Sequence, residues 1–212
     1  MAFQEAIQDY AEQPITKQAL LDLLKDYKRP YDKITELGKQ GLLVLVRRGV
    51  YIPGPNLNIA KPESLLLANH LLGPSYVSLE TALSHWGLIL ERVFETSSVT
   101  TQKSAVYKTP AGRFSYTHIP LPYYSFGIQQ VELTKKQMVL MATPEKAICD
   151  KIITTSGLLL RSSKQVKELL MDDLRIERSM LRNLNHKEIS KWLIDAPKKS
   201  SLNMLIKTLK EL

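Results

Sequence analysis

The sequence predicts an α+β fold: a winged helix-turn-helix over residues 1–55, then an α+β domain over residues 56–212 with a small, mainly antiparallel sheet and a helical C-terminal region. Three observations carry this. Lys28 to Pro53 reads K-R-P-Y-D-K-I-T-E-L-G-K-Q-G-L-L-V-L-V-R-R-G-V-Y-I-P, a short helix leading into two apolar strand-like runs joined at Arg47-Arg48-Gly49. From Arg92 to Leu140 the texture changes to Val, Thr, Tyr, Phe and Ile in short runs. Beyond Ser156-Gly157 the pattern is helical to the end.

Taken in order, Phe3, Ile7 and Tyr10 share helical spacing and predict a first helix over residues 2–12, ended by Pro14. Thr16 stands at an N-cap position, with Lys17, Gln18 and Ala19 as the first turn and Leu20, Leu23 and Leu24 as the apolar stripe. Asp26-Tyr27-Lys28 reads as a turn, and Pro30 suits the first turn of a third helix whose inward residues are Ile34 and Leu37. Gly41 closes it. Leu42 to Val46 and Val50 to Ile52 are the hairpin strands, and Gly49 supplies the positive φ of a tight turn. Pro53-Gly54-Pro55 marks a boundary.

In the second domain, residues 62–72 form an apolar helix stopped by Gly73-Pro74, and Tyr76-Val77 is a short extended piece. Ser78 is expected to cap the helix that ends at Gly87. Strands are expected at Val93 to Thr100, Ala105 to Lys108, Arg113 to Ile119, Gln129 to Leu133 and Gln137 to Met141. Thr143 as N-cap and Pro144 at the first position open another helix, and further helices are expected over residues 163–174, 177–184, 186–194 and 200–212.

Composition narrows the function classes. Of 212 residues, 44% are hydrophobic and 24% charged, enough to bury a core. No apolar run approaches the ~20 residues of a membrane-spanning helix, so no membrane partner is expected. The first ten residues lack the basic and apolar regions of a secretory signal. The single cysteine, Cys149, excludes an intramolecular disulfide and suits a reducing cytoplasm.

The formal net charge of +8 is unevenly spread. Residues 1–55 and 56–150 each hold 8 basic against 7 acidic side chains, whereas residues 151–212 hold 13 against 7. Within the first domain, Glu5, Asp9, Glu12, Asp22 and Asp26 crowd the first half, and Lys28, Arg29, Lys33, Lys39, Arg47 and Arg48 the second. That polarity suits a surface facing a duplex. A recognition helix reaches base edges in the major groove and a basic wing lies along phosphate. The expected DNA-contacting residues are therefore Thr16, Lys17 and Gln18 at the second helix, Lys28, Arg29, Tyr31 and Lys33 at the third, and Arg47 and Arg48 on the wing, with Tyr27 beside them.

Catalysis finds little support. His70, His85, His118 and His186 fall on separate elements with no partner at metal-ligand spacing, so no metal is expected. His85 beside Trp86 reads as packed or half-buried, and Cys149 as an inert core thiol. No phosphate-binding glycine loop and no nucleophile elbow is present, so neither a cofactor nor a catalytic residue is expected. L-P-Y-Y-S-F-G places Tyr123, Tyr124 and Phe126 as a partner-binding surface, and Glu145, Lys146 and Asp150 are candidates to join it. For these three the residues favour a structural role, capping by Glu145 and pairing of Lys146 with a nearby acid, with a part in binding a partner as the alternative.

Three stretches also resemble the AbiEi family of antitoxins from type IV (abortive infection) toxin–antitoxin operons: L-V-R-R-G-V-Y-I-P, Y-V-S-L-E-T-A-L-S-H-W-G-L and A-T-P-E-K-A-I-C-D-K. The stretches lie in this order between Leu45 and Lys151, and the resemblance covers roughly residues 15–155. The resemblance implies a bacterial autorepressor that binds its own operator in double-stranded DNA and opposes a nucleotidyltransferase-like toxin, directly or indirectly, through its C-terminal domain. The alternative is a nucleic-acid-processing enzyme, or an orphan regulator, whose winged helix delivers a domain of other activity.

Overall fold

The computed structural model describes residues 2–91 and 94–212. Helix α1 (Ala2–Ala6) tightens into a 3-10 turn at Ile7–Tyr10. The helix is shorter than expected because Glu12 takes a left-handed φ of +66° and turns its amide to the Ala60 carbonyl at 2.9 Å. Strand β1 (Ile15–Thr16) runs straight into α2 (Lys17–Leu23), where Thr16 is the N-cap and its Oγ1 accepts the Ala19 amide at 3.2 Å. Helix α3 (Pro30–Lys39) has Pro30 at its start and buries Ile34 and Leu37.

Gly41, at φ +67°, turns the chain into β2 (Leu43–Arg47), which pairs with β3 (Val50–Pro53). Ile15 of β1 lies opposite Tyr51 of β3, giving a three-stranded antiparallel sheet in the order β1-β3-β2. A two-residue strand is too short to show alternation in the sequence. At Gly54 a Cβ would lie 2.1 Å from the Gly41 carbonyl oxygen, so the chain crosses itself there only with glycine.

The second sheet follows from α4 (Ser64–Leu71), β4 (Ser75–Val77), α5 (Leu79–His85), β5 (Glu95–Thr100), β6 (Ala105–Thr109) and β7 (Gly112–His118). A 3-10 turn at Tyr123–Ser125 precedes β8 (Ile128–Thr134) and β9 (Gln137–Ala142). The expected start of a strand at Val93 lies outside the described residues. Six strands pair in the order β6-β7-β5-β4-β9-β8. This sheet is mixed rather than mainly antiparallel: β4 with β9 and β5 with β7 run parallel. The β6–β7 and β8–β9 hairpins are local and legible from turn residues, whereas the parallel pairs join strands that are not consecutive in the chain.

Helix α6 (Pro144–Thr154) starts as expected, with Thr143 Oγ1 accepting the Lys146 amide at 3.2 Å. Ser78 is a correction. Leu79 takes a left-handed φ of +55°, and the Ser78 hydroxyl does not cap α5 but donates to Asp150 Oδ2 at 2.8 Å. The remaining helices are α7 (Ser163–Lys167), continued as a π-helical turn at Glu168–Asp173, then α8 (Arg178–Arg182), α9 (His186–Trp192) and α10 (Lys199–Lys210). Each is shorter than its expected span.

Two apolar clusters organise the chain. Phe3, Ile7, Ile15, Leu20, Leu24, Ile34, Leu37, Leu43 and Leu57 close the smaller one around the N-terminal helices. Val46 and Ile52 belong to the larger, with Leu67, Tyr76, Val99, Val139 and Ile152. Because side chains alternate along a strand, the hairpin serves both: Leu43 and Tyr51 face the helices, Val44, Val50 and Ile52 the larger body. A second tie is polar. Glu12 Oε2 accepts Thr134 Oγ1 at 2.5 Å and Gln137 Nε2 at 3.2 Å, and Gln13 donates to the Lys136 carbonyl.

Candidate nucleic-acid interface

Helix α3 and the β2–β3 hairpin enclose an open groove of about 620 Å³ lined by Lys17, Tyr31, Ile34, Thr35, Leu45, Arg48, Gly49 and Tyr51. Its cations are Lys17 and Arg48, and among the described residues no carboxylate lines it. The Lys17 amide donates to the Gly49 carbonyl at 3.0 Å, which pins the start of α2 to the hairpin turn. The Lys17 ammonium stands 4.7 Å from the centre of the Tyr31 ring, and that ring is 56% exposed. Thr35, Leu45 and Tyr51 were missed from sequence. The signal was available for Leu45 and Tyr51, which lie opposite each other on the face that alternation turns away from the larger core.

On the other side of α3, Tyr27, Lys28, Arg29, Asp32, Lys33 and Glu36 line a second cleft. Here the cations are partly engaged. Arg29 lies 3.8 Å from Asp32, and Lys33 Nζ donates to Glu36 Oε1 at 2.8 Å, which raises the ammonium pKa and lowers that of the carboxylate. Lys33 also sits 5.4 Å from the Tyr27 ring centre. Lys28 and Arg48 are exposed, and Gln18 is exposed but bonded to Asp22 at 3.1 Å. Eight of the nine expected residues thus cluster on the α2–α3 surface and the hairpin turn.

Arg47 is the exception. It is half-buried, donates through Nη1 to the Leu71 carbonyl, and stacks its guanidinium 3.8 Å from the centre of the Tyr107 ring. It faces the larger body, not the groove.

Of the expected partner surface, Tyr123, Lys146 and Asp150 are buried and Tyr124, Phe126 and Glu145 half-buried. Tyr123 is fully buried, and Tyr124 and Phe126 are half-buried against the larger core, at 5.0 Å from Tyr76 and 6.5 Å from Tyr123 respectively. Burial raises the Tyr124 pKa to about 12. Glu145 does lie in the first turn of α6, but its carboxylate accepts the Asn185 amide at 2.8 Å and so holds the start of α9. Lys146 and Asp150 are both 0% exposed, with Nζ and Oδ1 3.1 Å apart. Tyr76 and Ser78 donate to Asp150 Oδ2 at 2.9 and 2.8 Å, and Lys146 donates to the Tyr123 carbonyl at 2.9 Å over that residue's ring. Of the two expectations for this helix, the structural one is what the packing matches.

His85 is exposed rather than half-buried, with its ring edge-on to Trp86 at 4.9 Å. Cys149 is fully buried, and burial pushes its thiol pKa up. Among the C-terminal basic residues, Arg175 pairs with Glu91 and Lys191 with Glu188, while Arg182 donates to the Leu212 carbonyl at 2.7 Å. Among the described residues no group of three His, Cys, Asp or Glu side chains could hold a metal, and no helix is long and apolar enough to cross a membrane.

Comparison with known proteins yields no matching family model and no matching curated protein. Among solved structures, the chain is similar to the RV2827C protein from Mycobacterium tuberculosis, with 16% identity and a TM-score of 0.63. The match covers 98% of this chain and 76% of that one. At that identity the likeness concerns the fold alone.

Proposed function

We propose that this chain is a sequence-specific DNA-binding repressor and antitoxin of the AbiEi kind, acting in the cytoplasm on its own operator by binding rather than catalysis. The observation that carries the reading is the groove between α3 and the hairpin, open, lined by Lys17 and Arg48 and free of carboxylates. The order helix, short strand, helix, helix, hairpin, with the short strand paired to the hairpin, supports a winged helix-turn-helix. In this reading α3 enters the major groove, with Arg29 and Tyr31 toward base edges and Lys28 toward phosphate. Arg48 at the hairpin turn and Lys17 at the start of α2 hold phosphate on either flank. Lys33, shared with Glu36, contributes less.

The antitoxin half rests on the three resembling stretches, and the nucleotidyltransferase-like toxin is its expected partner. The enzymatic alternative gains nothing from the reactive groups of α6, since Lys146, Cys149 and Asp150 are sealed from solvent.

Fluorescence anisotropy with a duplex from the chain's own upstream region, against an unrelated duplex of equal length, tests the reading. Wild type is expected to prefer its own duplex by at least about 10³ at physiological salt. Arg29→Ala and Arg48→Ala should each weaken it. Equal binding of the two duplexes would overturn the repressor. Growth rescue on co-expression with a neighbouring nucleotidyltransferase-like gene tests the antitoxin half, and failure of rescue would sink that half alone.

A further inference from the structure

The hairpin carries adjacent arginines that point to different bodies, and a bulge separates them. Leu45 pairs with Tyr51 but Arg47 pairs with Val50, so Val46 is an extra residue on β2. Without the bulge, strict alternation would put Arg47 on the face of Leu45, in the groove. With it, Arg47 shares the face of Val50, which packs on the larger core. Its fork is then doubly engaged, by the Leu71 carbonyl at the end of α4 and by the Tyr107 ring on edge strand β6. Arg48 stays exposed at the groove.

We propose that Arg47 is a positioning residue for DNA binding: it docks the hairpin onto the larger body and so sets where Arg48 stands relative to α3, without itself touching DNA. The claim rests on the DNA-binding reading above and adds a division of labour within Arg47-Arg48. A planar fork stacked on a ring and bonded to a carbonyl is a role that lysine cannot reproduce. A phosphate contact is one that lysine does reproduce, as a point charge.

The variants are Arg47→Ala, Arg47→Lys, Tyr107→Leu and Arg48→Ala, each measured in the full chain with the upstream duplex across a salt series. A phosphate contact contributes about 0.9 to the slope of log K against log salt, so Arg48→Ala should flatten the slope by that amount. Arg47→Ala should weaken binding about tenfold, the scale of a lost hydrogen bond to a charged group, and leave the slope unchanged. Arg47→Lys and Tyr107→Leu should resemble Arg47→Ala. Hydrogen exchange at the amides of β2 and β3 should quicken in all three and not in Arg48→Ala.

Rescue of affinity by Arg47→Lys, or a flattened slope in Arg47→Ala, would overturn the proposal. If wild type binds no duplex, the DNA-binding reading fails by itself. The exchange measurement still decides the docking claim, and unchanged hairpin exchange in Arg47→Lys and Tyr107→Leu would refute it even if Arg47→Ala does not fold.

Discussion

Lys146 and Asp150 stand one helical turn apart in α6, their Nζ and Oδ1 atoms 3.1 Å from each other and neither accessible to solvent. Burial works against the charged form of both, lowering the ammonium pKa and raising the carboxyl pKa, while their mutual attraction opposes it. Asp150 gains two further donors, Tyr76 and Ser78, from the β4–α5 junction, so the pair ties three elements together.

Breaking this pair from one side should be costly. Lys146→Met or Asp150→Asn is expected to lower the unfolding free energy by roughly 3–5 kcal/mol, because either leaves a buried group without its partner. Lys146→Met combined with Asp150→Asn should lose less than the sum of the two single changes. Urea denaturation of all three checks this, and strict additivity would show that the groups do not interact.

The two single variants should also differ in their response to pH. In Lys146→Met, Asp150 keeps a folded pKa above its unfolded value. Stability is then greatest below the unfolded pKa and falls as pH rises through the folded one. In Asp150→Asn, Lys146 keeps a folded pKa below its unfolded value, so stability falls as pH drops through the folded pKa and is greatest above the unfolded one. Denaturation midpoints followed across pH should therefore move in opposite directions in the two variants, each over the interval between that group's unfolded and folded pKa. Parallel slopes would contradict the assignment.

Gly127 lies against the same pair. Its φ is +62°, and an added Cβ would stand 2.8 Å from Lys146 Cβ and 2.8 Å from Trp192 Cη2. Gly127→Ala combines backbone strain with overpacking and should cost about 2–4 kcal/mol. A thermal midpoint equal to wild type would mean that this contact is not made in solution.

Cys149 should be silent to a thiol reagent such as DTNB in native buffer, since it is buried and its thiol is held protonated. In denaturant it should titrate fully. Reaction within minutes at unchanged circular dichroism would show that the α6 core opens readily.

For the interface, Asp32→Asn removes the carboxylate 3.8 Å from Arg29. Duplex affinity is expected to rise by roughly two- to fivefold, as an exposed acid beside phosphate is lost. No change, measured by the same anisotropy titration, would place Arg29 away from DNA.

Much of the local structure was legible in the residues. Thr16 and Thr143 cap the helices that they precede, Pro30 opens α3, and Gly41, Gly49 and Gly87 take the positive φ that ends a helix or turns a hairpin. Each rule involves neighbours within about four residues and a backbone preference specific to the side chain. Ser78 shows where such rules stop: it occupies a cap position, yet Asp150 from 72 residues away takes its hydroxyl.

By itself, then, the sequence determined the α+β class, the caps and hairpins and the polarised charge of residues 1–55, because composition and short-range backbone preference act before any long-range contact forms. Only the tertiary structure decided the rest. It paired β1 with β3, ran two strand pairs parallel, buried Tyr123, Lys146 and Asp150, and turned Arg47 from the groove to Leu71 and Tyr107. These outcomes depend on which distant residue fills a given face, and one extra residue in a strand is enough to exchange one face for the other.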